Sequence, residues 1–234
     1  MPKPFALKKI ILTATFFLGV LLQFASAQSS SIGAWYIYFG NKVLDKRWNL
    51  HHEIQYRNYN LAGDLEQLLL RTGVGYNLSE NNNNLLLGYG FIHGQRYGVN
   101  TDEKLKSNEH RIFQQFISRQ HFGRVYVQHR YRIEERFLKD DFKWRCRYFL
   151  SLNVPINHTA LLPGAFYFSA YNEIFLQPKS AVFDRNRIYG ALGYVINKNL
   201  KAEGGFMTQL YENTNRGQFQ LVVFNTIPFL KKED

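Results

Sequence analysis

Cysteine is almost missing from this sequence: Cys146 stands alone among 234 residues. No disulfide can therefore form within the chain, which excludes the stapled scaffolds typical of small secreted domains. Proline and methionine are also scarce, at six and two. Beyond residue 27 no apolar run approaches the ~20 residues that a membrane-spanning helix needs, and helical periodicity is close to absent. Metal-ligand spacing is lacking as well. The seven histidines are scattered, and His51 and His52 fall on opposite faces of one segment, so no metal site is predicted. There is no G-x-S-x-G elbow. Gly73-x-Gly75 and Gly88-x-Gly90 precede no helix, so neither reads as a nucleotide loop. No cofactor is expected.

What is present begins with Lys3, Lys8 and Lys9, an apolar stretch from Ile10 to Phe24, and Ala25-Ser26-Ala27. This is the layout of a secretory leader over residues 1–27, and residues 28–234 then form a single domain. Position 28 is Gln, so a lipid-anchored cysteine is not expected there. The leader carries three lysines and no acid. Its loss takes the formal charge from +11 to +8, and 234 residues less 27 leave 207. An exported basic chain with interleaved aromatics could meet nucleic acid, but export and the spread of its arginines make that partner unexpected.

Alternation with period two dominates the rest. Segments at 32–40, 48–58, 66–78, 84–93, 108–120, 124–137, 144–154, 164–176, 185–196, 199–211 and 217–229 each read as a strand. Most reach ten residues, the length a tilted membrane strand requires. In 126–137, Val127, Tyr131, Ile133 and Phe137 share one side with His129 and Glu135. Tyr126, Gln128, Arg130, Arg132, Glu134 and Arg136 share the other. The low mean hydropathy of −0.32 is compatible with a membrane barrel, whose strands average lipid-facing and lumen-facing residues. Aromatics near segment ends, Trp35, Trp48, Tyr59, Trp144 and Tyr211, suggest interfacial girdles.

Short turns at 79–83, 121–123 and 197–198 alternate with longer polar connections at 94–107, 138–143, 177–184 and 212–216, while 155–163 departs from the pattern. This predicts an all-β, antiparallel up-and-down transmembrane β-barrel with a periplasmic C-terminus. Eleven segments conflict with the even strand numbers of bacterial single-chain barrels. Twelve strands are therefore expected, with ten as the alternative. In the ten-strand case 32–40 lies in the lumen or along the rim.

The charged face supplies the candidate site. On the barrel reading, Glu53, Arg57, Glu109, Arg111, Arg130, Arg132, Glu134, Arg136, Arg145, Arg147, Glu173, Arg185, Arg187 and Glu203 point inward. Charges in a lumen of low dielectric must be paired, which predicts an ionic network across strands. An excess of arginine would also suit anionic solutes, since Arg and Lys rings mark anion pores.

Four blocks carry a family resemblance: R-x-R-I-E-E-R-F at 130–137, N-E-x-R at 108–111 followed by Gln114-Gln115, Asn172-Glu173-Ile174-Phe175, and Asp184-Arg185-Asn186-Arg187. In this order they resemble an uncharacterised exported Bacteroidetes family, the domain of unknown function two-four-nine-zero. The resemblance spans the whole chain after the leader. It implies an outer-membrane β-barrel and no established activity.

The expected function is thus a porin-like barrel in the bacterial outer membrane, monomeric and bathed in outer-membrane lipid. Its lumen is either a structural network or a narrow anion-preferring channel for small solutes. Two alternatives stay open. One is a lipid-modifying acyl hydrolase or transferase, with Ser118 and His110 or Ser169 and His129 as conceivable pairs. The other is a soluble periplasmic lipid-binding barrel.

Overall fold

The structure is a computed structural model and describes residues 32–79, 82–179 and 182–228. The leader expected at 1–27 falls outside them. Eleven strands form, each from a segment of alternating polarity: β1 (Gly33–Val43), β2 (Trp48–Asn58), β3 (Leu65–Asn77), β4 (Asn83–Tyr97), β5 (Lys104–Phe122), β6 (Val125–Phe137), β7 (Phe142–Pro155), β8 (Phe166–Leu176), β9 (Phe183–Asn197), β10 (Leu200–Leu210) and β11 (Asn215–Ile227). Each pairs antiparallel with its sequence neighbours, and β1 closes the barrel against β11.

The closure corrects the expected strand count. The described residues form neither twelve strands nor ten, and β1 is a wall strand rather than a lumen or rim segment. With every consecutive pair antiparallel, an odd number of strands leaves the first and last running the same way. The seam is accordingly parallel over ten residue pairs, from Gly33↔Gln218 to Lys42↔Ile227, so the sheet is mixed rather than purely up-and-down. Gly33 and Ile227 consequently lie at opposite ends of the barrel.

The long polar connections are also corrected. β4 and β5 continue pairing to Tyr97↔Lys104, so only 98–103 separate them. Polar residues at 94–97 and 104–107 alternate faces as well as apolar ones do, and strand pairing depends on backbone groups rather than side-chain polarity. The longest connection is 156–165. Among the described residues two turns are only two residues long, Lys198 and Asn199 between β9 and β10 and Gly123 and Arg124 between β5 and β6. Gly123 has a φ of 58°, which a Cβ-bearing residue rarely adopts and which matches the twist of a two-residue hairpin.

Side chains sort by parity along the middle of each strand. Tyr36, Ile54, Leu70, Leu87, Ile112, Ile133, Leu152, Phe168, Leu192, Phe206 and Leu221, one from each strand, are exposed on the outer wall. Inside, some glycines make room for rings. A Cβ on Gly193 would meet the Tyr167 ring at 2.2 Å, and one on Gly88 would meet Phe113 at 2.3 Å. Part of the interior is packed with apolar side chains: Trp35, Ile37, Tyr189, Ala191, Met207 and Val222 form one buried cluster.

The seam can be checked by cross-linking. Tyr36 faces Leu221 across it, and adjacent strands lie within disulfide reach. In a Cys146→Ser background, the pair Tyr36→Cys and Leu221→Cys should oxidise to an internal disulfide with altered gel mobility. A twelfth strand between them would leave both thiols free.

Candidate functional site

The lumen is built around two carboxylates. Glu134, on the inner face of β6, is fully buried. It accepts from Arg147 Nη1 at 2.5 Å and from Arg145 Nη2 at 2.6 Å. Arg132 and Arg111 approach it at 3.5 and 3.7 Å. Glu173, on β8, accepts from Arg147 Nη2 at 2.5 Å and Arg130 Nη2 at 2.6 Å, with Arg187 Nη1 at 3.5 Å. Arg147 therefore links the two centres, donating Nη1 to Glu134 and both Nη2 and Nε to Glu173. Such charge-assisted bonds are the strong ones, and a guanidinium fork suits this bridging.

Two satellites extend the network. Glu109 takes Arg111 Nε at 2.6 Å and Arg136 Nε at 2.5 Å. Glu53 is bound by Arg71 and by the Gln55 amide. Arg57 is different: it donates to Gln55 Oε1 at 3.0 Å and Gln67 Oε1 at 3.1 Å and has no carboxylate partner among the described residues. Arg185 pairs with Asp184 at 3.1 Å near one rim, and Asp184 also lies 3.5 Å from Arg145. Glu203 stands apart from the arginines and accepts from the Tyr167 hydroxyl at 2.9 Å.

Of the fourteen inward charges read from the sequence, the structure buries Glu53, Arg57, Glu109, Arg111, Arg132, Glu134, Arg145, Arg147, Glu173, Arg187 and Glu203. Arg130, Arg136 and Arg185 are half-buried. Arg71 and Asp184 belong to the same network and lie outside that set, although Arg71 falls in the segment 66–78 and Asp184 in the block 184–187. The parity of β3 alone places Arg71 inward between Leu70 and Thr72.

Aromatic faces complete the packing. The Phe175 ring has the guanidinium carbons of Arg147 and Arg187 each at 4.5 Å and that of Arg145 at 5.4 Å. Arg132 lies 4.5 Å from Phe113 and Arg130 4.3 Å from Phe149. Ring faces offer partial negative charge to cations that outnumber the carboxylates. Trp35, expected in an outer girdle, instead lies inside at 2% exposure, beneath Arg57. Both faces of β1 are aromatic, so its alternation gave no contrast. Trp48 does face outward.

The conceivable Ser–His pairs are not assembled. His110 is bound to the Tyr89 hydroxyl at 2.6 Å, and Ser118 lies eight residues along the same strand, about 26 Å away. Ser169 is buried inside, whereas His129 sits on the outer wall against Tyr148 at 2.9 Å. Among the described residues no group of His, Cys, Asp and Glu could hold a metal.

Breaking the hub should be costly. Glu134→Gln leaves four arginines facing a neutral amide and is expected to destabilise the fold by about 3–5 kcal/mol. Glu135→Gln, one residue on and outward, should change stability by less than about 1 kcal/mol. Denaturant titration of the two variants reads the difference, and equal effects would contradict the hub.

Comparison with known proteins adds the family and nothing narrower. No curated protein matches the chain, and no solved structure matches it. A family model described as "Protein of unknown function (DUF2490)" matches residues 32–220. That match covers β1 through β10 and the first part of β11, and includes every strand that contributes a charge to the network. The chain belongs to this family of unknown function.

Proposed function

We propose that this protein is a monomeric outer-membrane barrel, exported by the leader at 1–27, whose lumen is plugged by its own side chains. The supporting observation is the pairing of two surfaces on one wall. Large apolar side chains are exposed on all eleven strands, while Glu134, Glu53, Glu173 and Arg132 inside are 0–3% exposed. In water the outer face would be a continuous apolar surface far beyond what soluble monomers present. In lipid it is the expected wall. The dimensions suit this placement. An 11-residue strand such as β2 spans about 37 Å, and a tilt of ~40° brings that to about 28 Å, close to a bilayer core.

A closed lumen makes the role structural. The ionic network stiffens a narrow barrel whose cross-section is occupied by paired guanidiniums and rings. One observation favours a second reading, a narrow anion-preferring path. Arg57, Arg71, Arg111, Arg130, Arg132, Arg136, Arg145, Arg147, Arg185, Arg187 and Lys201 are eleven cations against the six carboxylates Glu53, Glu109, Glu134, Glu173, Glu203 and Asp184, a surplus of five.

Two measurements test this. Cell fractionation should place the protein in the outer membrane, with heat-modifiable gel mobility. Recovery in detergent-free soluble extract would contradict the lipid-facing wall and favour a soluble lipid-binding barrel. In planar bilayers the plugged barrel should give no conductance steps. Steps that prefer anions and shrink on Arg130→Gln and Arg132→Gln would replace the closed reading with the channel.

A further inference from the structure

One sector of the lumen holds donors without acceptors. Trp35 on β1 lies between Arg57 on β2 and Gln220 on β11 in one row of paired residues. The Arg57 guanidinium carbon stands 3.6 Å from the centroid of the Trp35 ring, and that of Arg187 stands 4.9 Å from the same ring. Two cations thus share one indole. Arg57 meets only amide oxygens, and the nearest carboxylate oxygen to Arg187 is at 3.5 Å, the far edge of the Glu173 cluster.

Two hydrogen-bond chains converge here and end unsatisfied. Arg187 donates to Gln209 Oε1 at 3.0 Å, and Gln209 donates to Gln218 Oε1 at 2.9 Å. The Tyr171 hydroxyl donates to Gln220 Oε1 at 3.2 Å. Both chains use their amide oxygens as acceptors, which leaves the Gln218 and Gln220 amide nitrogens as donors in need of acceptors. Among the described residues neither nitrogen has a partner, nor has Trp35 Nε1. Trp35, Gln218 and Gln220 are each at least 98% buried. Leaving such donors unpaired is costly, and leaving a buried guanidinium without a counter-charge costs more.

We propose that this sector is a buried anion site, occupied by an oxyanion of the phosphate class held between Arg57 and Arg187. Trp35 Nε1–H and the Gln218 and Gln220 amides complete the cradle. A water molecule would satisfy at most two of these donors and neither charge. An oxyanion offers several acceptor oxygens and the missing negative charge together. The site rests on the surplus of lumen cations described above. It requires no conduction and does not depend on the medium outside the wall.

The test uses the full detergent-folded chain and inorganic phosphate, in equilibrium dialysis at constant ionic strength. Wild-type protein should retain about one phosphate per chain. Trp35→Phe keeps a ring beneath the guanidiniums and removes only the indole donor, so it should fold and weaken binding by about tenfold or more, the worth of one charge-assisted bond. Trp48→Phe, on the outer wall, should bind as wild type does. Absence of bound phosphate in wild type overturns the site. Equal binding by Trp35→Phe and wild type also overturns it, by showing nonspecific attraction to cations. A chain that fractionates with membranes and gives no conductance yet binds no phosphate would refute this site alone. Binding by a chain found soluble would refute only the membrane reading.

Discussion

The pairing of Arg147 with Glu134 and Glu173 at once is the contact on which the rest of the interior depends. One guanidinium reaches both carboxylates at 2.5 Å and thereby couples β6, β7 and β8. Arg111, Arg132 and Arg145 gather around Glu134 and Arg130 and Arg187 around Glu173, and the excess positive charge is spread over Phe175, Phe113 and Phe149. A buried carboxylate without these partners would be strongly disfavoured, and so would the arginines without it. The network is therefore cooperative: each member justifies the burial of the others. It also explains why a barrel of this size is filled. Long guanidiniums span distances that short apolar side chains would leave empty.

The same constraint explains the family blocks. R-x-R-I-E-E-R-F supplies Arg130, Arg132, Glu134 and Arg136; N-E-x-R supplies Glu109 and Arg111; the Asn172–Phe175 block supplies Glu173 and the ring on which three guanidiniums converge; and Asp184–Arg187 supplies the rim pair and Arg187. Sequence blocks separated by tens of residues meet across the lumen as one ionic cluster.

Much of this was legible beforehand because strand parity is simple. A residue two positions from Arg132 must share its face, so the inward charges follow once the period is recognised. The closure was not legible. Segment counting says nothing of which edges meet, and an odd number of strands is resolved only by the parallel β1–β11 seam. Connection lengths were misread because polar strand ends, as at Arg96 and Lys106, resemble loops in composition. Trp35 was misplaced because its strand is aromatic on both faces. The unmatched Arg57, Gln218 and Gln220 cluster was invisible for a different reason: its members come from strands at opposite ends of the chain, brought together only by the seam.

On the membrane reading, a single division organises the molecule, with hydrocarbon against Ile133 and its neighbours and charge against charge within. The most direct measurement is quenching of a fluorophore attached at Ile133→Cys, in a Cys146→Ser chain folded into lipid vesicles. Brominated acyl chains should quench it strongly, and aqueous iodide should leave it bright. Efficient quenching by iodide with none from brominated lipid would put this face in water and contradict the placement of the wall.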